Sequence, residues 1–302
     1  VNTKNFVGEF KWETSLNMSF NHNEVVSIGG PEILNGVSLI REGQPINSFY
    51  GYELGGIYQT LDEVFTGPVM ENRAPDKASH NPYKNTSPGD MWFVDVDGNG
   101  EINDLDRTVI GNTNPKASGG FALSGRVYGF DLSANFTYSI GNDVYNANKI
   151  EYTSSYQYYY RNMLDIMGEG KRWTNLDANG NLVNDPAQLA ALNANTTMWS
   201  PYTSYVLTDW AIEDGSFLRL STLTLGYTLP LALTKKVGIN NLRFYATCYN
   251  VFCLTGYSGF DPEVSTRNKT ALTPGVDYSA YPKSRQFVIG AVSYTHLTLP
   301  TT

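Results

Sequence analysis

The sequence predicts an all-β fold: a partial transmembrane antiparallel β-barrel with long extracellular loops. Three observations lead there. Several segments alternate apolar and polar residues, as strands with two unlike faces do. The 302-residue chain is 13% aromatic yet polar on average, which fits a surface split into an apolar and a polar side. The connections between the alternating segments are by turns short and very long, a pattern rare in compact soluble domains.

Six segments carry the alternation. In 10–21, Phe10, Trp12, Leu16, Met18 and Phe20 share one face, and Lys11, Glu13, Ser15, Asn17 and Ser19 the other. In 130–140, Phe130, Leu132, Ala134, Phe136, Tyr138 and Ile140 oppose Asp131, Ser133, Asn135, Thr137 and Ser139. In 222–229, Leu223, Leu225, Tyr227 and Leu229 oppose a row of Thr and Gly. In 242–249, Leu242, Phe244, Ala246 and Cys248 oppose Arg243, Tyr245, Thr247 and Tyr249. Segments 119–128 and 285–292 are weaker. A soluble β-sandwich also alternates. The length of these strands, the aromatics at their ends and the hydroxyl-rich polar rows favour a barrel wall around a wet interior.

Tyr128-Gly129 reads as a tight turn and 230–241 as a short connection. Segments 22–116, 141–213 and 255–284 are very long and belong on the outer side. Strands 8–22, 130–140 and 242–254 then run outward, and 117–128, 214–229 and 285–292 inward. A short helix is expected over 185–193, with Pro186 in its first turn. A six-stranded arc has two open edges, so the isolated piece is expected to be unstable in lipid and prone to aggregate in water.

Composition excludes several classes. The formal charge is −8 without a Lys/Arg run, so nucleic acid is not an expected partner. No stretch reaches the ~18 apolar residues of a spanning helix. No signal peptide opens the chain and Val1 starts mid-pattern, so a fragment or processed piece is expected. Cys248 and Cys253 fall on opposite faces of one strand, roughly 17 Å apart at ~3.4 Å per residue, and cannot bond each other. His22, His80 and His296 form no ligand cluster. No Ser/His/Asp set, phosphate-binding glycine loop or metal-water site emerges, so no enzyme is expected.

Residues 95–106, "DVDGNGEINDLD", carry the spacing of a calcium loop. Asp95, Asp97, Asn99, Glu101 (through its backbone carbonyl) and Asp106 stand at ligand positions, Gly100 at the sharp turn, and Ile102 at the position that anchors the loop on apolar neighbours. Asp106 replaces the usual bidentate Glu. The competing reading is a run of Asx turns without metal. The flanks "DMWFVDV" and "RTVIGN" are β-like, so a structural Ca2+ clip in a long loop is expected rather than a sensor. Residues 175–183, "NLDANGNLV", begin a similar pattern but end on Pro186, and read as a turn.

Several strings resemble the C-terminal part of the SusC/RagA family of TonB-linked outer-membrane proteins. They include "REGQPINSFYGYELGGIYQ" from Arg41, "PGDMWFVDVDGNGEINDLDRTVIGNTNPK" from Pro88, "EDGSFLRLSTLTLGYTLP" from Glu213 and "LRFYATCYNVFCLTGYSGFDPEV" from Leu242. The resemblance implies that residues 1–292 are the C-terminal strands of a 22-stranded barrel, with 88–116 as the calcium-loop-bearing outer segment. It implies a plug and a TonB contact in an N-terminal region that this chain lacks. It also implies a SusD-like lipoprotein over the outer mouth, and import of glycan or peptide oligomers across the outer membrane of a Gram-negative bacterium. Residues 293–302, "SYTHLTLPTT", depart from the family's ending and are expected to lie outside the barrel.

Tyr156, Tyr158, Tyr159, Tyr160, Trp199, Tyr202 and Tyr257 are the candidates for substrate or partner contact, with loop packing or lid contact as the competing role. The alternative function is a secreted calcium-dependent glycan-binding or adhesion β-module. It predicts polar outward faces in place of the rows led by Phe130 and Leu223.

Overall fold

The computed structural model describes residues 1–73, 75, 85–155, 161–203, 206–265 and 273–294. Seven strands lie side by side in chain order: β1 (Asn2–Val7), β2 (Lys11–Phe20), β3 (Ala117–Val127), β4 (Phe130–Ile140), β5 (Phe217–Thr228), β6 (Asn241–Thr255) and β7 (Gln286–Tyr294). Every neighbouring pair is antiparallel. The sheet is therefore an open meander whose end strands are β1 and β7.

Alternation located six of these strands and missed β1. Its sequence, Asn-Thr-Lys-Asn-Phe-Val, has no period of two, and its register on β2 slips between Lys4 and Phe6. β7 runs through Ser293 and Tyr294, which pair with Leu242 and Asn241.

Phe20, Ala117 and Ile140 share one rung, and Phe217 pairs with both Ser139 and Thr255. All three long connections thus leave the same end of the sheet. The short ones occupy the other end. Tyr128 and Gly129 have φ of +47° and +87°, as a two-residue hairpin turn demands, and glycine takes the second position without steric cost.

The apolar rows stay open. Phe130 is 50% and Phe244 48% exposed, and Phe136 and Leu223 are half-buried among their own neighbours rather than sealed in a closed core. Phe121 stacks on Phe136 at 4.3 Å across β3 and β4. The polar rows are cross-linked strand to strand. Thr137 meets Ser221 at 3.0 Å, and Thr224 meets Thr247 at 2.9 Å. The Arg243 guanidinium donates from Nε and Nη2 to the two oxygens of Asp131, at 2.9 and 2.5 Å.

Gly226 lies between the strands that this ion pair bridges. A Cβ at Gly226 would sit 2.3 Å from Arg243 Nη2 and 2.6 Å from Asp131 Oδ1. Gly226→Ala is therefore expected to push the pair apart and cost about 1–3 kcal/mol. Thermal unfolding of the complete receptor should show the loss, and an unchanged midpoint would refute it.

The apolar row changes phase once. Asn135 pairs with Thr222 but Phe136 pairs with Leu220, so Ser221 is an extra residue in β5. β6 answers with a bulge at Asn250, whose φ is +52°. Leu218 and Leu220 thereby rejoin the row of Leu223 and Leu225.

The long connections carry sheets and helices of their own among the described residues. Thr108–Asn112, Ser48–Gly51, Ser38–Ile40 and Ile33–Asn35 form a four-stranded sheet. Ile212–Asp214, Asp143–Asn146 and Val276–Asp277 form a three-stranded one. Two cores explain this order. One gathers Tyr52, Met91, Phe93, Ile102, Met167, Met198 and Trp199, and the other Phe49, Tyr145, Ile150, Ala211 and Val276. Among the described residues most buried apolar side chains lie in these loops, since the strand meander shows its own apolar row outward. The helix Pro186–Leu192 matches the expected one, with the Asp185 side chain accepting from Gln188 N at 2.9 Å. Among the described residues no helix is long and apolar enough to cross a membrane.

Candidate functional site

The acidic loop is closed by its own carboxylates. Asp95 Oδ1 accepts from Gly98 N at 2.7 Å, and Oδ2 from Gly100 N at 2.8 Å. These bonds, that from Gly100 foremost, hold its carboxyl below the usual range. Asp97 accepts from the backbone and side-chain nitrogens of Asn99 at 3.1 and 2.9 Å. Asn99 Oδ1 accepts from Glu101 N at 2.7 Å, while the Glu101 side chain is exposed. Asp106 is fully buried, and its two oxygens accept from Val96 N and Asn103 N at 2.9 and 2.8 Å. Ile102 plugs into the first core, as its place in the loop predicted.

Carboxylate oxygens of Asp95, Asp97 and Asp106 lie within 4.8 Å of one another. All donors are hard oxygens, each with a lone pair beyond its backbone bond, so the set fits calcium. The 175–183 stretch is a turn: Asp177 Oδ1 accepts from Asn179 N and Asn181 N at 2.9 and 2.8 Å.

The aromatic candidates divide. Tyr156, Tyr158, Tyr159 and Tyr160 lie outside the described residues. Trp199 is buried edge-on against Trp210, with ring centroids 4.6 Å apart. Tyr257 is also buried, and its hydroxyl donates to Asp277 Oδ2 at 2.7 Å. Burial first, and then that bond, push the hydroxyl's pKa far up. Both rings serve loop packing and present no open face. Tyr202 is 59% exposed and does.

Two polar clamps went unnoticed in the sequence. In the first, Arg219 on the polar face of β5 reaches the 256–284 loop. Its Nη2 donates to Asp261 Oδ1 at 2.6 Å, and its Nη1 to Asn250 Oδ1 at 2.5 Å. Nε sits 2.8 Å from Glu263 Oε2 as an ion contact without hydrogen-bond alignment. Lys283 closes the cluster on Glu263 at 2.6 Å. The only early signal was a charged residue breaking the row "FLRLS".

In the second clamp, Glu213 accepts from Ser258 N and Oγ, each at 2.8 Å, and from Asn146 Nδ2 at 3.0 Å, with Lys149 Nζ 3.4 Å away. Burial raises this carboxyl, but the Ser258 bonds, Lys149 and Asn146 together outweigh it and leave it below its ordinary 4.5. A carboxyl lowered by folding stabilises above its ordinary pKa, and that contribution is lost as pH falls through the folded value. The Ser258 amide is therefore expected to exchange faster, beyond its intrinsic rate, only at pH below the ordinary carboxylate range. Glu213→Gln should abolish that dependence. Exchange by wild type that ignores pH there would refute the clamp.

The chain is 31% identical over 307 residues to "TonB-dependent receptor P3" of Formosa agariphila, covering 96% of this chain and 27% of that protein. It is 27% identical to "TonB-dependent receptor SusC" of Bacteroides thetaiotaomicron, covering 96% of this chain and 25% of that one. Among solved structures, the RagAB peptide transporter superposes with a TM-score of 0.69 at 22% identity, covering 96% of this chain and 28% of the other. No family model matches the chain. The chain thus spans about a quarter of the length of the curated relatives it matches.

Proposed function

The chain belongs to the SusC/RagA family of TonB-dependent receptors, and on that premise we propose that it is a wall-and-loop segment of an outer-membrane importer in a Gram-negative bacterium. The complete receptor takes up glycan or peptide oligomers, is energised by TonB through a region outside this segment, and works with a SusD-like lipoprotein over its outer mouth. One observation carries the reading. Six amphipathic strands of a seven-stranded meander, apolar on one row and hydroxyl-rich on the other, send all their long folded loops to a single end. The open row of Phe130, Leu225, Phe244 and Ile289 suits lipid and does not suit a secreted module in water.

Calcium, bound by Asp95, Asp97 and Asp106 together with backbone oxygen of the loop, would act as a structural clip. It would hold the outer segment in shape before substrate or lid binds.

The test is uptake by cells. Deleting the gene should abolish import of a mixed peptide and glycan oligomer supply, and complementation should restore it only while the TonB contact is intact. Equal import by the deletion strain would sink the proposal.

A further inference from the structure

Resting on the reading of this sheet as an outer-membrane wall, we propose that its outward face binds one anionic phospholipid of the inner leaflet. Lys235 and Lys236, in the turn between β5 and β6, take the phosphate of the headgroup, and a trough over β6 takes an acyl chain. The trough is built by register. Leu223, Cys248 and Phe287 share one rung and Leu225, Ala246 and Ile289 another, so each rung reads large, small, large from β5 to β7. The trough has a volume of about 250 Å³ and is lined almost wholly by apolar side chains. A groove between two bulky apolar rows suits a hydrocarbon chain, which gains contacts on three sides instead of one.

The rungs also fix the depth of the turn. Phe130, Tyr227 and Phe244 lie on one rung, with the Phe130 and Tyr227 rings 4.4 Å apart. A band of aromatics of this kind marks a membrane interface. It lies at the end of the sheet opposite the long loops, which is the inner end. Leu229 and Leu242 lie two residues beyond that band, roughly 7 Å at ~3.4 Å per residue. They join through Leu229 N and Leu242 O at 2.9 Å. The turn that they open therefore sits at headgroup level. Ala291 shares the rung of Phe244 on β7 and leaves a gap beside that ring, so one chain can run from the turn into the trough.

The turn is preformed and positively charged. Thr234 is buried within it, and Ile239 N donates to Thr234 O at 3.1 Å. Leu231, Leu233 and Val237 are exposed, which is unfavourable in water and favourable at a lipid boundary. Lys235 and Lys236 are exposed too, and no hydrogen bond or ion pair engages either ammonium among the described residues. Between Asp214 and Asp261 the sequence holds no acidic residue, although the chain as a whole carries a net charge of −8. Two ammonium groups on an apolar turn at this depth complement an anionic headgroup, whereas a zwitterionic one sets its own cation against them.

The experiment uses the complete receptor, purified in detergent, with equimolar phosphatidylglycerol and phosphatidylcholine as probes. Native mass spectrometry counts the lipids that stay bound. Wild type should keep phosphatidylglycerol over phosphatidylcholine by about tenfold. Lys235→Gln combined with Lys236→Gln should bring that ratio close to parity. Ala246→Phe, which fills the trough, should lower retention of both lipids several-fold and leave the ratio alone. Ala246 is exposed, so the added ring meets no core. Equal retention of the two lipids by wild type, an unchanged ratio in the lysine variant, or undiminished retention by Ala246→Phe would each overturn the proposal. Lysines that resist acetylation after delipidation would overturn it as well, since the receptor's own plug would then cover the turn. Behaviour without detergent separates the two readings. A complete receptor that stays monodisperse in water overturns the wall and the lipid site together. One that needs detergent but shows no lipid preference loses the site alone.

Discussion

Arg219→Met is expected to release the 256–284 loop from the sheet, at a cost of about 3–5 kcal/mol. Arg219 and Asp261 are each 5% exposed, so neither charge keeps solvent as a fallback. With the guanidinium gone, Asp261 retains, among the described residues, only Glu263 N, at 2.9 Å, and Asn250 Oδ1 loses its donor. Methionine keeps the length and apolar bulk of the side chain, so the loss reports charge rather than volume. The check is proteolysis and hydrogen exchange of the loop in the complete receptor, both of which should rise sharply. Asp261→Asn placed on top of Arg219→Met should recover most of the loss, because the penalty comes from the stranded carboxylate. Lys283→Met should do little, since its ammonium is half exposed and screened. A double variant as damaged as the single would show that the cluster is packing and not a latch.

This clamp marks a limit of reading the sequence. The alternating rows of β2, β4 and the inner half of β5 were legible because a strand with two solvents repeats every second residue. The Tyr128-Gly129 turn and the Asp185 cap were legible for the same reason: each is written within a few neighbouring residues. The Asp95–Asp106 spacing is local too, and even the burial of Ile102 followed from its place in it. Arg219 and Asp261 are 42 residues apart, and nothing in either neighbourhood announces the other. Trp199 and Tyr257 read equally as contact surface or as loop packing, because aromatic-rich loops do both. Their burial depends on Trp210, in the 3-10 turn Asp209–Ala211, and on Asp277, in the strand Val276–Asp277. β1 was lost because its six residues, Asn-Thr-Lys-Asn-Phe-Val, do not alternate. The phase change at Ser221 hid the outer half of β5 in the same way, since a bulge breaks the period that reveals the strand.

Asp106→Ala is expected to cost about 2–4 kcal/mol whether or not calcium is present, because two backbone donors, Val96 N and Asn103 N, lose their only acceptor at a fully buried position. Asp97→Ala should behave differently. Asp97 is exposed and holds only Asn99, so its loss without metal should stay within about 0.5 kcal/mol. With metal the comparison reverses in kind. An ion bound by the folded loop alone stabilises it by RT ln(1 + [Ca2+]/Kd), about 2.7 kcal/mol at a hundred times Kd, and Asp97→Ala should erase that calcium-dependent part. The two variants therefore separate the carboxylate that builds the loop from the one that holds the ion. Loop opening, followed by hydrogen exchange across 95–106 with calcium and with chelator, gives both numbers. If chelator leaves wild-type exchange unchanged, the three carboxylates close the loop by hydrogen bonds to the backbone alone, and the clip is the turn itself.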